Sequence, residues 1–426
     1  MRGESRILSG EDAVAGGDES VKIAVVEKLK LNGVTPEIDA EFRRLTSTFA
    51  QACDEISSYA FERGAMLRIG LLNEELYRGV RENFGLKAQL TQSAIRAVVA
   101  RYAAVGTRLR EETVSYAAED GKTYRFHKSL DWLRKPIRFL APQAELARGR
   151  DFSFLEDGSV VSVAAMSGRV RLSYSMRRDS RLFDPEWRIG GARLLKKGGK
   201  WFLHVSLTKE VPDVEKSDAD KVVGVDLGLV NLAAAYDGEN AELYSGDEAG
   251  RLRDRFARTR ASLQKKGTKG AKRVLKRIAG RENRWMNDLN HRLSKALVSE
   301  GGQGTLFALE DLSGASLDER NLASRTASGR RELRSWAFYD LRMKLEYKAA
   351  LAGSRVKVFD PAFTSQRCPS CGNVDKSARD RSKHEYRCPK CGSVFNDDAA
   401  AAMNLRELGL RLLKGEKNPN FRKKAG

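Results

Sequence analysis

The sequence is poor in long apolar stretches and in histidine, and each shortage argues against some classes of protein. No apolar run approaches the roughly 20 residues that a membrane helix needs, and the polar start MRGESRILSGEDAVAGGDES has no apolar signal core. We therefore expect a soluble, intracellular protein. The chain has only four histidines, and they are scattered, which fits chemistry that needs no histidine nucleophile.

Cysteine is also scarce, and its distribution argues against a disulfide framework. Four of the five cysteines fall within residues 368–391, and the fifth, Cys53, is isolated. This is the distribution of a metal site in a reducing cytosol. Cys53 lies on the apolar face of a predicted helix without an evident cationic neighbour, so we interpret it as a small core residue rather than a reactive thiol.

Acidic residues are outnumbered by basic ones. The chain has 77 Lys and Arg against 57 Asp and Glu, a formal net charge of +20, which favours a polyanionic partner through counterion release. Nucleic acid is the first interpretation, although ribosome-associated proteins, membrane-surface proteins and ordinary basic enzymes share this balance. A length of 426 residues with 41% hydrophobic content accommodates two or three packed units.

The first part of the chain is predicted to contain a short strand followed by several helices. Residues 1–35 combine an aperiodic start, predicted to be disordered, with a strand from Val21 to Leu31. Over residues 36–118 apolar side chains recur every three or four positions, the pattern of amphipathic helices in a recognition unit. Thr91 or Ser93 is the predicted cap of the last of these helices.

A β-rich unit follows over residues 119–218, where the hydrophobic period shortens. Short alternating segments punctuated by Gly and Asp predict the strands of a barrel. Three lysines surround the Gly198-Gly199 turn, where they either contact phosphates or form a solvated hairpin tip. These are Lys196, Lys197 and Lys200. The predicted strands include Val160–Ala165, Val170–Tyr174 and Trp201–Leu207.

The remainder of the chain is predicted to be an α/β domain with an insert. After a polar linker at residues 215–220, strands and helices alternate over residues 219–365 and return at 396–410. The cysteine-rich insert occupies residues 366–395, and a basic tail ends the chain over 411–426. The whole is a multidomain α+β protein.

Three acidic residues of this domain stand where predicted strands end or a helix begins. Asp226 lies in the apolar run KVVGVDLGLVNL, Glu310 ends the strand TLFAL, and Asp398 precedes the helix-forming AAAAMNL. A buried carboxylate must be hydrogen-bonded, placed at an exposed end or bound to a cation. For Asp398 and its neighbour Asp397, the purely structural alternative is that they stabilise the N-terminus of a helix.

Taken together, the three carboxylates predict a catalytic metal site. Phosphodiester hydrolysis by two divalent ions about 4 Å apart requires such acidic ligands, with one ion activating water and the other stabilising the leaving oxygen. Mg²⁺ prefers oxygen ligands of this kind. We therefore predict that Asp226, Glu310 and Asp398 bind two catalytic Mg²⁺ ions.

The four clustered cysteines predict a zinc ribbon. Cys368 and Cys371 form one CPxCG knuckle, and Cys388 and Cys391 form a second after sixteen residues. A pair of redox CxxC sites is the alternative, but matched knuckles around a basic hairpin favour one structural Zn²⁺. Basic hairpin residues either contact a nucleic-acid backbone or are merely solvated. They are Arg379, Arg381, Lys383, His384 and Arg387.

A second basic region lies in the α/β domain. Between residues 251 and 284 there are fourteen Lys and Arg against two acidic residues, Asp254 and Glu282. Such an excess of positive charge on predicted helices is typical of a nucleic-acid-binding face.

Several motifs in residues 219–410 resemble TnpB, the transposon-encoded endonuclease family, and its relatives the compact type V CRISPR effectors. They are GVDLGLVNLAAAY, ALEDLSG, the weaker WMNDLNHRLSKALV, and WAFYDLRMKLEYKAALAGSRVKVFDPAFTSQRCPSCG leading into the ribbon. Residues 36–212 are similar to the family's recognition lobe and wedge only in order and size.

The resemblance implies a RuvC-type nuclease core of the RNase H fold. Asp226 and Glu310 then take the places of the first two catalytic carboxylates. The family's third motif resembles DRDxNAAxNI, whereas this chain has NDDAAAAMNL, with Asn396 and Ala400 as departures. The alignment places Asp398 on the catalytic aspartate and leaves Asp397 as the alternative.

The resemblance also implies the partners and the reaction. A guide RNA would pair with one strand of a double-stranded target DNA, the protein would read a short flanking motif, and a single site would cut both strands. Two rival interpretations are a nuclease-inactive RNA-guided DNA-binding protein and an actin-like ATPase, which also begins with a strand, Asp and Gly. Whether the chain serves a transposon or a CRISPR array is not encoded in these motifs.

Overall fold

The structure is a computed structural model in which residues 6–7, 20–65, 67–111, 113–117, 123–213, 219–228, 230–312, 338–380 and 382–422 are described. Most of the predicted disordered start, most of the polar linker and Arg381 lie outside these ranges, and Arg6–Ile7 within that start form a short strand. The chain divides into two compact units, one of residues 22–210 and one of residues 1–21 and 211–426. Among the described helices, none is long and apolar enough to cross a membrane.

The helices of the 22–210 unit begin where the sequence supplies a cap. Helix α1 starts at Pro36, a residue suited to the first helical turn. The Thr35 hydroxyl accepts a hydrogen bond from the Ile38 N–H at 3.4 Å. Cys53 is fully buried, as predicted for a core residue. The helices are α1 (Pro36–Glu62), α2 (Ile69–Phe84) and α3 (Ala88–Glu111).

The predicted cap of α3 is wrong. The helix begins at Ala88, so Thr91 and Ser93 lie inside its first turns. The Thr91 N–H donates to the Lys87 carbonyl at 3.0 Å, and its hydroxyl points to the same oxygen at 3.3 Å. Thr91 is buried, so tertiary packing rather than capping explains its position. The helices also end before residue 118, because a hairpin of two strands follows directly on α3.

The β-rich part of this unit confirms the predicted strands. Its main sheet has the strand order β5-β9-β10-β2-β8-β7-β6, and β3 pairs separately with β4. After the short β1 (Arg6–Ile7), which precedes this unit in the chain, the strands are β2 (Ser20–Leu31), β3 (Thr113–Ala117), β4 (Thr123–His127), β5 (Gln143–Leu146), β6 (Phe152–Leu155), β7 (Val160–Ala164), β8 (Arg169–Ser175), β9 (Arg188–Lys197) and β10 (Lys200–Pro212). Short 3-10 helices lie at Leu130–Trp132 and Glu156–Gly158.

The predicted lysine-rich turn joins β9 to β10. Gly198 and Gly199 both have positive φ, 57° and 80°, which is the requirement of a type I′ hairpin turn. Lys196 forms an ion pair with Asp39 and so is already engaged within the protein. Lys197 and Lys200 remain exposed at the turn.

The second unit is built on a mixed five-stranded sheet of order β13-β12-β11-β14-β15. Strand β11 is parallel to β14 and antiparallel to β12, and β14 is parallel to β15. A separate three-stranded sheet, β16-β17-β18, lies in the cysteine-rich insert. The elements are β11 (Lys221–Asp226), β12 (Asn231–Tyr236), β13 (Ala241–Ser245), α4 (Asp247–Lys266), α5 (Lys269–Gly301), β14 (Thr305–Glu310), α6 (Phe338–Leu351), β15 (Arg355–Phe359), a 3-10 helix (Lys376–Ala378), β16 (Arg379–Asp380), β17 (Glu385–Arg387), β18 (Val394–Asn396) and α7 (Asp397–Leu413).

Both faces of the five-stranded sheet are covered by helices. Successive side chains of β14 alternate between the faces, as the pleat of a strand requires. Phe307 and Leu309 pack with residues of α5 and α6, whereas Leu306 and Ala308 pack with leucines of α7. A strand covered on both sides is apolar along its length, which explains the run TLFAL.

Helix α7 approaches the sheet very closely at Gly224 of β11. A Cβ atom built at Gly224 would lie 1.9 Å from the carbonyl oxygen of Ala402 and 2.5 Å from the backbone nitrogen of Arg406. No side chain fits there without displacing the helix backbone. The glycine therefore allows the first turn of α7 to lie near the end of β11.

Candidate functional site

The three predicted carboxylates come together at one edge of the five-stranded sheet. Asp226 ends β11 and Glu310 ends β14, and these strands are parallel neighbours with Val225 paired to Leu309. Asp398 lies in the first turn of α7, the helix that packs on both strands. Parallel strands bring their carboxyl ends to the same edge, so the three acidic side chains converge there.

The electrostatics of the cluster reflect this convergence. Burial raises the pKa of Asp226 well above its usual range, and the neighbouring charges of Glu310 and Asp398 raise it further. Burial also raises the pKa of Glu310, although a hydrogen bond from Thr364 and the charge of Arg379 oppose the increase. A cluster of partly buried acids that repel one another is stabilised by cations.

Two neutral side chains hold individual carboxylates. The Asn231 amide donates from Nδ2 to Asp398 Oδ2 at 2.9 Å. The Thr364 hydroxyl donates to Glu310 Oε1. Asn396 caps α7, because its Oδ1 accepts hydrogen bonds from the N–H groups of Asp398 at 3.1 Å and of the following alanine at 3.0 Å. Asn396, a departure from the family motif, therefore has a clear structural role.

Arg379, the first residue of β16, also enters the cluster. Its Nε donates to Asp397 Oδ2 at 2.7 Å and its Nη2 to Asp398 Oδ1 at 3.0 Å. Its side chain is 20% exposed in these ion pairs. The sequence pattern presented Arg379 either as a nucleic-acid contact or as a solvated residue. In the structure it is a counter-ion of the acidic cluster.

Asp397 and Asp398 occupy different environments, although they are adjacent. Asp397 is 1% exposed, its Oδ2 is held by Arg379, and its Oδ1 lies 3.6 Å from His384 Nδ1. Within the described ranges, no hydrogen bond reaches that Oδ1 atom. Asp398 shares Arg379 but also accepts from Asn231 of β12, and its charge acts more strongly on Asp226 than that of Asp397 does. This geometry favours Asp398 as the third member of the cluster.

The donor set at the sheet edge suits hard divalent cations. Asp226, Glu310 and Asp398 offer carboxylate oxygens, the ligands that Mg²⁺ prefers. Three such carboxylates can serve as ligands of two ions about 4 Å apart.

The four cysteines of the insert form a compact cluster, with all sulfurs within 4.8 Å of one another. Cys368 Sγ lies 3.6 Å from Cys391 Sγ, and Cys371 Sγ lies 3.6 Å from Cys388 Sγ. A disulfide would bring sulfurs to about 2.05 Å, whereas a tetrahedral zinc with about 2.3 Å bonds separates them by about 3.8 Å. The sulfur positions therefore fit a four-thiolate zinc site rather than disulfides.

The two knuckles that carry these cysteines have the same backbone geometry. The Cys368 carbonyl accepts from the Gly372 N–H at 2.9 Å, and the Cys388 carbonyl accepts from the Gly392 N–H at 3.0 Å. Hydrogen bonds from Ser393 lower the pKa of the Cys391 thiol to about 6. A hydrogen bond from the Asn373 backbone lowers the pKa of the Cys371 thiol, but burial and the neighbouring thiols outweigh it and raise that pKa to about 11. The shifts therefore favour the thiolate, the form that metals bind, at Cys391 but not at Cys371.

Helices α4 and α5 present the predicted basic surface. Arg260 pairs with Glu282, one of the two acidic residues in the region. Most of the basic side chains are exposed, so the surface carries a concentrated positive charge. The exposed members are Arg251, Arg255, Arg258, Lys265, Lys266, Lys269, Lys272, Arg273, Lys276, Arg277, Arg281 and Arg284.

Three residues near the carboxylates were not identified from the sequence as parts of the site. Asn231 and Thr364 both lie within the motifs that carry the resemblance, and Asn404 donates to the carbonyls of Thr364 and Arg367. The strings GLVNL and FTSQRC within those motifs are the sequence signals for the first two. Nothing in their spacing shows which carboxylate each one contacts.

Residues 204–315 match a family described as a probable transposase, and residues 338–405 match the Cas12f1-like TNB domain. The first match includes Asp226 and Glu310, and the second includes the four cysteines and Asp398.

Among curated proteins, the chain is 30% identical over 218 residues to the CRISPR-associated endodeoxyribonuclease Cas12f1 of Sulfoacidibacillus thermotolerans, covering 47% of this chain and 49% of that protein. It is 31% identical over 160 residues to a TnpB-like protein of Methanocaldococcus jannaschii, covering 36% of this chain and 55% of that one. The chain thus spans about half the length of these curated relatives.

A solved structure shows the same fold. The Cas12f1 chain in a complex with sgRNA and target DNA superposes with a TM-score of 0.60 at 15% identity, covering 87% of this chain and 83% of that chain. The protein is therefore a mixed α/β multidomain chain with the fold of that effector. Over the residues matched by the two family models, the resemblance to TnpB proteins and compact type V CRISPR effectors is confirmed.

Proposed function

We propose that this protein is an RNA-guided DNA endonuclease that hydrolyses phosphodiester bonds at a single metal-dependent site. The observation that carries the proposal is the convergence of Asp226, Glu310 and Asp398 at the edge of the sheet. Relatives named as endodeoxyribonucleases and RNA-guided endonucleases support it. By this proposal, the five-stranded sheet and its helices form a RuvC-type nuclease core of the RNase H fold.

In this function Asp226, Glu310 and Asp398 would hold two Mg²⁺ ions, which would supply an activated water and stabilise the leaving oxygen. The protein's own groups fix the ligands, with Asn231 holding Asp398 and Thr364 holding Glu310. Arg379 adds a positive charge beside Asp397 and Asp398, where it neutralises part of the acidic cluster.

The remaining regions take supporting roles. One structural Zn²⁺ on the four cysteines would stabilise the insert of residues 366–395, which we assign to binding target nucleic acid. We assign residues 36–118 to a recognition domain and 119–218 to a β-barrel wedge. The nuclease domain comprises 219–365 and 396–410, and the protein acts in the prokaryotic cytoplasm.

The exposed basic face of α4 and α5 fits a role in holding nucleic acid. Lys and Arg side chains on a helix surface bind phosphates without reading sequence. Within the described residues, we see no helix that would read base edges over a long site by itself. Pairing by a bound guide RNA would supply sequence recognition. We therefore assign this face to the backbone of the guide RNA or of the guide–target duplex.

The test is reconstitution of the full chain with RNA encoded beside its gene. We expect this RNA to co-purify, to resist moderate salt, and to be required for Mg²⁺-dependent cutting of a matching duplex. Targets should carry a randomised flanking motif, and a scrambled guide is the matched control. Equal cutting by RNA-free protein would leave an unguided nuclease, and guided binding without cutting would identify a nuclease-inactive binding protein. ATP hydrolysis without nucleic acid would indicate the actin-like alternative.

A further inference from the structure

The segment between β15 and the first cysteine knuckle reaches into the acidic cluster through one side chain. Thr364 is 1% exposed, and its Oγ1 lies near two acceptors, Glu310 Oε1 and the Pro361 carbonyl at 2.9 Å. A hydroxyl has a single hydrogen to donate. An ionised carboxylate is a stronger acceptor than a neutral carbonyl, so the hydroxyl donates to Glu310.

The backbone of this segment is held by α7. Asn404 is 1% exposed, and its Nδ2 donates to the carbonyls of Thr364 and Arg367, both at 2.8 Å. Its Oδ1 accepts from Arg367 Nη1 at 2.9 Å. All the polar atoms of this buried amide are thereby used. Asn404 lies on the same helix as Asp398, so the segment is fixed relative to the third carboxylate.

The turn itself is conformationally restricted. Phe363, which precedes Thr364, has a φ of 68°, a conformation that an aromatic residue adopts only when its surroundings enforce it. Arg367 continues the restraint, since its guanidinium pairs with Glu407 of α7 at 2.9 Å. Cys368 follows directly. The turn thus links β15, α7 and the first knuckle around a single buried hydroxyl.

We propose that Thr364 is a positioning residue that sets the Glu310 carboxylate relative to Asp398, with Asn404 as the support of Thr364. Strand β14 fixes the backbone of Glu310, but its side chain has rotatable bonds that the strand does not fix. The Thr364 hydroxyl restricts these bonds through its hydrogen bond to Glu310. Asn404, on the same helix as Asp398, fixes Thr364 by donating to its backbone carbonyl. The inference rests on the proposed function and adds to it a ligand-orienting pair outside the three carboxylates.

The experiment compares Thr364→Val with Thr364→Ser in the full chain. Valine keeps the shape and removes the hydroxyl, whereas serine keeps the hydroxyl. Mn²⁺ binding is measured calorimetrically without nucleic acid, and the half-saturating Mn²⁺ concentration is measured for guided cleavage. We expect Thr364→Val to weaken both by about 10–100-fold and Thr364→Ser to stay within about twofold of wild type. Zinc content and thermal stability serve as controls for folding.

If Thr364→Val does not fold, Thr364→Ala is the second hydroxyl-free variant, compared with serine in the same way. Wild-type Mn²⁺ affinity in a folded hydroxyl-free variant would overturn the positioning role while leaving the nuclease proposal intact. Equal weakening by serine would also overturn it, since packing would then be the cause. A wild-type chain that binds Mn²⁺ but cuts no guided target would overturn only the function. A wild-type chain that binds no Mn²⁺ would overturn both.

Discussion

The four cysteines and the three carboxylates are both clusters of metal-ligand side chains, but the protein arranges them to different degrees. The four cysteine sulfurs lie within 4.8 Å of one another, on two short knuckles with the same backbone hydrogen bond. The carboxylates come from two strands and a helix, and those of Asp398 and Glu310 are held by Arg379, Asn231 and Thr364. Under the proposed function, the cysteines are a closed cluster that holds a structural ion, and the carboxylates are an open cluster that accepts ions and substrate.

The largest expected effect is on the open cluster. Asp226→Ala, Glu310→Ala or Asp398→Ala should each reduce guided DNA cleavage by roughly a thousandfold or more, because each removes a metal ligand. Binding of the target should remain near wild type, since we assign the phosphate contacts to the basic face of α4 and α5. The measurement is single-turnover cleavage beside a binding assay. Wild-type cleavage by the Asp226 or Glu310 variant would remove the nuclease assignment.

Asp397→Asn is the matched comparison for Asp398→Ala. We expect a smaller loss of about 10–100-fold, because Asp397 holds Arg379 rather than the reacting metal ions. If Asp397→Asn abolished cleavage and Asp398→Ala did not, the third ligand would have to be reassigned to Asp397.

The next effect should be on the closed cluster. We expect about one zinc per chain, lost in Cys368→Ser or Cys388→Ser, with unfolding of the insert because metal binding and folding are coupled. Elemental analysis and thermal denaturation provide the measurement. Cys53→Ala is the control, because Cys53 lies in the other unit and should leave the zinc content unchanged. Carefully prepared wild-type protein without zinc would contradict the assignment.

The smallest expected effect is on stability. Burial and the neighbouring acids raise the pKa of Asp226, so keeping it ionised at neutral pH costs folding free energy. Asp226→Asn should therefore raise the melting temperature in Mg²⁺-free buffer, by about 2–4 °C for each kcal/mol relieved. The gain should shrink as the pH falls through the raised pKa towards the usual aspartate range, where the wild-type side chain is protonated too.

Asp247→Asn, at an exposed position at the start of α4, is the control and should change stability by less than about 0.5 kcal/mol. An unchanged or lower melting temperature for Asp226→Asn at neutral pH would show that the charge of Asp226 is not a destabilising one.

The sequence predicted the parts of the site that follow from local pattern. An apolar run that ends in an acid placed Asp226 and Glu310 at strand ends, and the matched knuckles identified the cysteines. The contacts that orient the carboxylates were not predictable, because they join residues far apart in the chain. Asn231 and Asp398 are 167 positions apart, and Thr364 and Glu310 are 54 apart. The prediction that Thr91 caps α3 was wrong for a related reason. Thr91 is buried by tertiary packing, and this packing places it inside the helix.

Gly224 shows how far from the reacting groups such a site can be encoded. The contact between β11 and α7 at this point is backbone against backbone, so it has no rotamers and little freedom to adjust. Because Gly224 has no side chain, α7 can pack directly against β11. This close packing in turn determines how near Asp398, on α7, lies to Asp226, at the end of β11. A search for functional residues by charge or hydrogen bonding would overlook Gly224. A library of catalytic variants built around the three acids should therefore consider Gly224 together with them.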